Sequence, residues 1–312
     1  MPGLVKRKVL ITGSSGFIGA HVVREFISQG FDVVGINRSI NNNPHLVKNI
    51  THDTDWSDVL EGVEVIIHCA AAVHQMRSSK DVLTSYEELN FLGTLNLARQ
   101  ASKSVKRFIF LSTIKVNGEE TFGKKFNAND PHKPTDPYGQ SKAKAETKLL
   151  EIARSTKMDV VIIRPPLVYG PNPKGNLNQL ALYILKGMPL PFGAVDFNYR
   201  SMVYVGNLVN FISVCAEHEQ AKNQVFLISD DDDISTLVLI KKISIALEIE
   251  PKLIKIPVFI LRILFKLLGR KDYICRLLGN LRVDISKNKR LLDWQPKYTV
   301  DQGIKSSFFK DE

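Results

Sequence analysis

Thr12-Gly13-Ser14-Ser15-Gly16-Phe17-Ile18-Gly19 is the stretch on which the fold turns, because its glycines recur at every third position between an apolar run and an amphipathic one. Lys8 to Thr12 reads as a strand and Phe17 to about Gln29 as a helix. Gly13, Gly16 and Gly19 then permit a tight turn and let a pyrophosphate approach backbone amides at the positive end of the helix, with Ser15, Phe17 and Ile18 in the same cradle. Asp32 to Ile36 follows as a second strand, which completes a βαβ unit. Further apolar runs, Glu64 to His68 and Arg107 to Ser112, flank a long helix over about Val82 to Ala101. Asp159 to Arg164 is another strand, stopped by Pro165-Pro166. The alternation predicts an α/β protein with a Rossmann-type doubly wound parallel sheet. Beyond Gly170 it breaks, so the expected division is a dinucleotide-binding domain over 1–170 and a smaller C-terminal substrate-binding lobe over 171–312. About 204–228 is expected to return to the sheet as a helix and a strand. Ser235 is placed to cap the next helix, and Asp230 to Asp233 reads as a solvated acidic turn, since adjacent carboxylates do not converge easily on a metal.

Composition narrows the class. A chain of 312 residues with 44% hydrophobic content supports such a two-lobed globular protein and argues against disorder. The 3 cysteines, Cys69, Cys215 and Cys275, are widely spaced and mostly within apolar runs, which suggests reduced thiols; no metal-binding spacing occurs. The apolar stretch after Lys6, Arg7 and Lys8 is cut by the glycine loop, so it reads as a strand and not a signal peptide, and a cytoplasmic location is expected. The net charge of +10 is scattered and no nucleic-acid motif accompanies it, so a basic surface that attracts anionic nucleotides is expected, with no nucleic-acid partner. Val258 to Leu268 is apolar except for Arg262 and Lys266. It is too short to span a membrane, and the expectation is a helix packed on the substrate lobe with its basic stripe in water rather than a lipid anchor.

The chemistry lies in Tyr138-Gly139-Gln140-Ser141-Lys142. Residues four apart on a helix share a face, so phenol and ammonium can act on one group. A phenol with a pKa of about 10 is a poor catalyst at neutral pH, and a neighbouring positive charge is expected to lower that value. Tyr138 can then exchange a proton with a hydroxyl or ketone while hydride moves to or from a nicotinamide. At the end of the second strand, where a carboxylate would bind the ribose hydroxyls of NAD, the chain has Asn37-Arg38. Arg38 offers a planar fork for a 2′-phosphate, so NADP(H) is favoured, with NAD(H) as the alternative.

With His68-Cys69-Ala70-Ala71, Leu111-Ser112-Thr113 and Arg164-Pro165-Pro166, these segments resemble the extended short-chain dehydrogenase/reductases that act on nucleotide sugars, across almost the whole chain. The stretches 114–118, 164–170 and 190–193 are most similar to those of bacterial enzymes that form UDP-N-acetylquinovosamine from a 4-keto-6-deoxy intermediate. The resemblance implies that Thr113 polarises the C4 oxygen, Tyr138 transfers the proton, and Lys142 binds the nicotinamide ribose. It implies that Pro165 and Leu167 contact the nicotinamide, Ala70 and Ala71 the ribose and phosphates, and Asn49 with Ile50 the adenine, Asn49 standing where an acidic residue is usual. Ser112, His74, Asn176, Leu177, Phe192 and Arg200 are implied substrate residues, Arg200 toward the pyrophosphate of a UDP-sugar. A homodimer paired through helices about 82–101 and 138–154 is also implied.

The expected activity is NADPH-dependent reduction of the C4 ketone of a UDP-4-keto-6-deoxy-N-acetylhexosamine, in O-antigen or other lipopolysaccharide biosynthesis. The alternative is an NAD-dependent UDP-hexose or UDP-N-acetylhexosamine 4-epimerase, which uses the same triad; a silent NADP(H)-binding regulator is the alternative of another class. A 4,6-dehydratase is disfavoured because Ile114-Lys115, and not an acidic pair, follow Thr113.

Overall fold

Nine strands and their intervening helices are laid out in the computed structural model, which describes residues 6–38, 46–72, 83–173, 175–269 and 274–308. Strands β1 (Lys8–Thr12), β2 (Asp32–Asn37), β3 (Leu46–Val47), β4 (Val63–His68), β5 (Arg107–Leu111), β6 (Asp159–Arg164) and β9 (Val225–Leu227) form one parallel sheet in the order β3-β2-β1-β4-β5-β6-β9. Strand order reverses between β1 and β4, and a crevice for a ligand opens beyond the carboxyl ends of strands at such a point. Thr12, His68 and Leu111 end the strands that border it. Strands β7 (Leu167–Tyr169) and β8 (Met202–Tyr204) pair separately.

The central strands are apolar on both faces because helices cover both. On one side α1 (Phe17–Ser28) and α6 (Val205–Glu217) bring Val22, Phe26, Leu208 and Phe211 against Val9, Ile11, Val65 and Ile67. On the other, α3 (Thr94–Ala101) and α4 (Pro137–Ser155) bring Leu97, Ala98, Ala145 and Leu149 against Leu10, Ile66 and Phe108. A third apolar cluster holds α5 (Asn176–Leu185), α7 (Thr236–Ala246) and α10 (Val300–Phe308) together through Leu177, Ile184, Ile240, Ile243 and Ile304. The short α2 (Ser57–Leu60) precedes β4, and α8 (Val258–Leu267) and α9 (Ser286–Leu292) belong to the second half of the chain. Ser235 caps α7 by accepting from the Val238 amide, as expected.

One expectation fails here and one holds in part. The acidic turn is not simply solvated: Asp230 is buried and accepts from the Tyr169 hydroxyl, the Tyr204 amide and Asn207 Nδ2. Asp233 accepts from Ser201 and pairs with Lys125 and Arg282; only Asp231 and Asp232 are exposed. These carboxylates are spent on stitching segments distant in sequence. In α8, Leu261 is buried and Val258 and Phe265 pack beside it on the third apolar cluster while Arg262 and Lys266 are exposed, so the helix packs as expected, but its remaining apolar residues stay in water. Among the described residues no helix is long and apolar enough to cross a membrane.

Candidate active site

The glycine loop closes on itself and on the sheet. Gly13 has φ +66°, a region that favours glycine, and a Cβ there would lie 2.8 Å from the backbone of Ala70. The Gly16 amide donates to Gly13 O at 2.9 Å. At Gly19 a Cβ would fall 2.1 Å from Gly13 O, an impossible approach to backbone. Gly19→Ala is therefore expected to push α1 off the loop, destabilising the chain by about 1–3 kcal/mol and abolishing dinucleotide binding. Titration of nucleotide fluorescence measures the binding, and a variant that still binds normally would refute this account.

Among the described residues no side chain caps the amides of α1, and its first turn has no carboxylate, which leaves the positive helix end open to an anion. Asn37 serves the loop: its Oδ1 accepts from Ser14 Oγ and from the Ser15 amide, both at 2.8 Å. Its Nδ2 is buried with no hydrogen-bond partner among the described residues, and a buried amide donor left unpaired is costly unless a ligand takes it. Cradle, open helix end and orphan donor together fit a bound dinucleotide. Arg38 is exposed beside them. Asn49 is exposed and Ile50 is buried, with Ile50 O only 2.6 Å from where a Cβ on Gly93 would sit. Ala70 and Ala71 extend β4 past the glycine loop, and the Ala70 amide faces Thr12 Oγ1 at 3.4 Å. Pro165 is buried and Leu167 is half exposed.

Thr113 is held between two backbone bonds that tie β5 to β6: Ser112 N to Ile163 O at 2.8 Å and Ile114 N to Pro165 O at 2.9 Å. It opens a 3₁₀ turn, Ile114–Val116, with its hydroxyl accepting from the Lys115 amide. Helix α4 starts against that turn. Asp136 caps it by accepting from Gly139 N at 2.7 Å, Pro137 occupies its first position, and a Cβ on Gly139 would lie 3.1 Å from Lys115 O. Lys115 also pairs with Asp136 and Glu119. The start of α4, with Tyr138 at its second residue, is thereby fixed against the turn that Thr113 opens. Lys142, buried one turn on, donates to Leu111 O at 2.9 Å and lies 4.4 Å from the centre of the Phe110 ring.

Comparison with known proteins identifies this architecture. The sequence profile of the NAD dependent epimerase/dehydratase family matches residues 9–229. A UDP-glucose 4-epimerase of Vibrio cholerae is 42% identical over 309 residues, covering 96% of this chain and 94% of the relative. The chain belongs to the NAD dependent epimerase/dehydratase family. An N-acetyl-alpha-D-glucosaminyl-diphospho-ditrans,octacis-undecaprenol 4-epimerase of Escherichia coli O157:H7 is 30% identical over 244 residues, 75% of this chain and 71% of the relative. Among solved structures, UDP-N-acetylglucosamine 4-epimerase from Bacillus cereus shares the fold with a TM-score of 0.79 at 21% identity, covering 96% of this chain and 97% of that one. UDP-glucuronic acid 4-epimerase from Bacillus cereus in complex with NAD does so at 0.76 and 22% identity, covering 96% and 95%.

In this epimerase/dehydratase site the electrostatics differ from the sequence-based expectation. Burial raises the Tyr138 phenol above an ordinary tyrosine, and Asp136 and Tyr86 push the same way. Burial lowers Lys142 to about 7 against the opposing influence of Cys69 and Glu146. Desolvation thus outweighs the expected lowering of the phenol by Lys142, whose ammonium is taken up by a carbonyl. His68 behind the loop is lowered to about 3 by burial and by Lys142, so it is a neutral bridge between Thr12 and Thr94 at 2.8 and 2.9 Å.

The implied substrate residues are scattered in their surroundings. Ser112 does not present its hydroxyl freely, since it donates to Glu146 Oε1 at 2.5 Å. Leu177 and Phe192 are buried in the third apolar cluster, while Asn176 is exposed at the start of α5. Arg200 is not a surface arginine: one nitrogen donates to Cys275 O at 2.7 Å and to Gly279 O at 3.4 Å. His74 lies outside the described residues.

Two supports escaped the sequence-based reading. Asn90 accepts from the Ala72 amide at 2.7 Å and donates to Ala72 O and Ser141 Oγ, joining the loop after β4 to the helix that carries Tyr138. It sits in a π-helical stretch, Tyr86–Gly93, just before α3, and π-turns inside helices are frequent at functional sites. The Asn90, Gly93, Thr94 spacing was the available signal. Glu146, fully buried, accepts from Ser112, from Arg164 Nε and Nη2, and faces His132 at 3.2 Å. Arg164 also donates to Asn117 Oδ1 at 3.0 Å. Burial would raise Glu146, but the hydrogen bonds from His132 and Arg164 prevail and hold it below the usual carboxylate range.

Proposed function

We propose that this enzyme interconverts the C4 epimers of a UDP-hexose or UDP-N-acetylhexosamine with NAD as its dinucleotide. The observation that carries the proposal is the 42% identity, over 96% of the chain, to a UDP-glucose 4-epimerase. The expectation of an NADPH-dependent 4-keto reductase yields to it. Asn37-Arg38 had favoured that reductase, but Asn37 is used by the loop serines, so a missing carboxylate is no measure of affinity for a 2′-phosphate.

When bound, the nicotinamide supplies the acceptor and donor of the C4 hydride. Thr113 and Tyr138 hydrogen-bond the C4 oxygen, and Tyr138 takes the hydroxyl proton as the ketone forms and gives it back when the alcohol is restored. Lys142 orients the nicotinamide ribose from its anchor on Leu111 O. Gly13 to Gly19 hold the pyrophosphate on backbone amides.

The test follows UDP-glucose and UDP-N-acetylglucosamine separately by proton NMR with no added reduced cofactor. Conversion to the C4 epimer without net change at 340 nm is expected, in enzyme carrying NAD as purified. Consumption of NADPH by a UDP-4-keto-6-deoxy sugar, with neither UDP-sugar epimerised, would restore the reductase and end this proposal.

A further inference from the structure

Helix α8 packs on the third apolar cluster through Leu261, with Val258 and Phe265 beside it, and turns a second apolar face to solvent. Leu261 alone is buried, whereas Phe259 (65% exposed), Ile263 (55%) and Leu267 (80%) form one stripe at intervals of four, with Ile260 and Leu264 in a second stripe beside it. Leu268 continues the exposed surface at the helix end. So does Ile254 in the lead-in, where Leu253 bridges to Leu190, just beyond the exposed Leu185 and Met188. A contiguous apolar surface of this kind on a folded protein marks a contact site.

Its charge says what it contacts. From Pro251 to Gly269 the chain carries Lys252, Lys255, Arg262 and Lys266 and no carboxylate. All of these cations are exposed, and among the described residues none forms an ion pair. Arg262 and Lys266 are four apart, along one edge of the Phe259-Ile263-Leu267 stripe, where long stems can lie on apolar surface while the charges reach outward. An apolar helix face edged by unpaired cations is the form that settles at the boundary between anionic headgroups and acyl chains. A second copy of the chain would bring the same cations against each other, a like-charge contact that disfavours self-association.

We propose that α8 docks this enzyme on an anionic bilayer surface, with Phe259, Ile263 and Leu267 among the acyl chains and Arg262 and Lys266 on the headgroups. The helix does not span the bilayer; it lies in its surface. It packs on the stretch Ile274–Leu278, whose Cys275 carbonyl accepts from Arg200, so docking sets the Arg200 side of the substrate lobe toward the membrane.

Flotation of the whole protein with phosphatidylcholine vesicles, with and without phosphatidylglycerol, tests this. Wild type is expected to float with the anionic vesicles and to be released by salt. Ile263→Glu with Leu267→Glu should weaken that binding by about a hundredfold or more, and neutralising Arg262 or Lys266 to Gln by about fivefold each. Turnover of a water-soluble UDP-sugar should be unchanged in all of them. In Phe259→Trp, fluorescence should shift to the blue with anionic vesicles only. Failure of wild type to float, equal flotation of the double variant, or a drop in solution mass of that variant by light scattering would overturn the proposal, the last by showing a second copy on this face.

Discussion

Tyr138→Phe is expected to lower kcat by about 10²- to 10⁴-fold, the usual range for loss of a general acid-base group, and to leave dinucleotide affinity within a few-fold. The substitution removes one oxygen and keeps the ring, so the packing against Tyr86, 5.9 Å between ring centres, persists. Burial raises the phenol further above the neutral range, so in the proposed mechanism Tyr138 starts protonated, as a donor. To act as base it needs positive charge nearby, from Lys142 and from an oxidised nicotinamide. Lys142→Ala should therefore impair both binding and turnover, a split that separates the two roles. Steady-state kinetics beside a nucleotide titration give the result, and a kcat within threefold of wild type in Tyr138→Phe would remove Tyr138 from the mechanism.

Glu146→Ala is expected to cost about 3–5 kcal/mol of stability, the range for breaking a buried ion pair from one side. It leaves the Arg164 guanidinium, 2% exposed, without its counter-charge and frees the Ser112 hydroxyl next to Thr113. Urea unfolding measures this, and a loss under 1 kcal/mol would mean that solvent reaches the pair. The pH dependence has a definite sign. Glu146 is held below its unfolded value, so its contribution is complete above the ordinary glutamate range and is lost as pH falls through the folded value. Melting temperatures of wild type should thus fall on acidification below about 4.5, and the variant should lack that component. Glu146→Gln with Arg164→Met, which removes both charges, should recover much of the stability.

These predictions draw on information of two kinds. The glycine loop and the Tyr138-Lys142 pair were legible because each depends on residues within one turn or one helix face, where spacing alone dictates geometry. The parallel sheet was legible for the same reason, since alternation of strand and helix leaves few topologies. Helix α8 shows the limit: its pattern of apolar residues is real, but periodicity does not say which face meets the core. Nor does it report what surrounds a group. The Glu146–Arg164 pair spans 18 positions and the Tyr169–Asp230 bond 61, so neither has a local signal, and both change how a charged residue should be read.

The chain's sequence by itself determined the fold class, the glycine loop at the start of the first helix and the candidate Tyr138-Lys142 pair, all set by short-range backbone geometry and side-chain chemistry. Tertiary structure alone decided that Tyr138 is raised while Lys142 is lowered, that Asn37 serves its own loop, that Asp230 and Asp233 are committed to internal bonds, and that α8 keeps one apolar face outward. Each of those depends on burial and on partners distant in sequence, because the cost of removing a charge or an apolar surface from water is set by what the folded chain places around it.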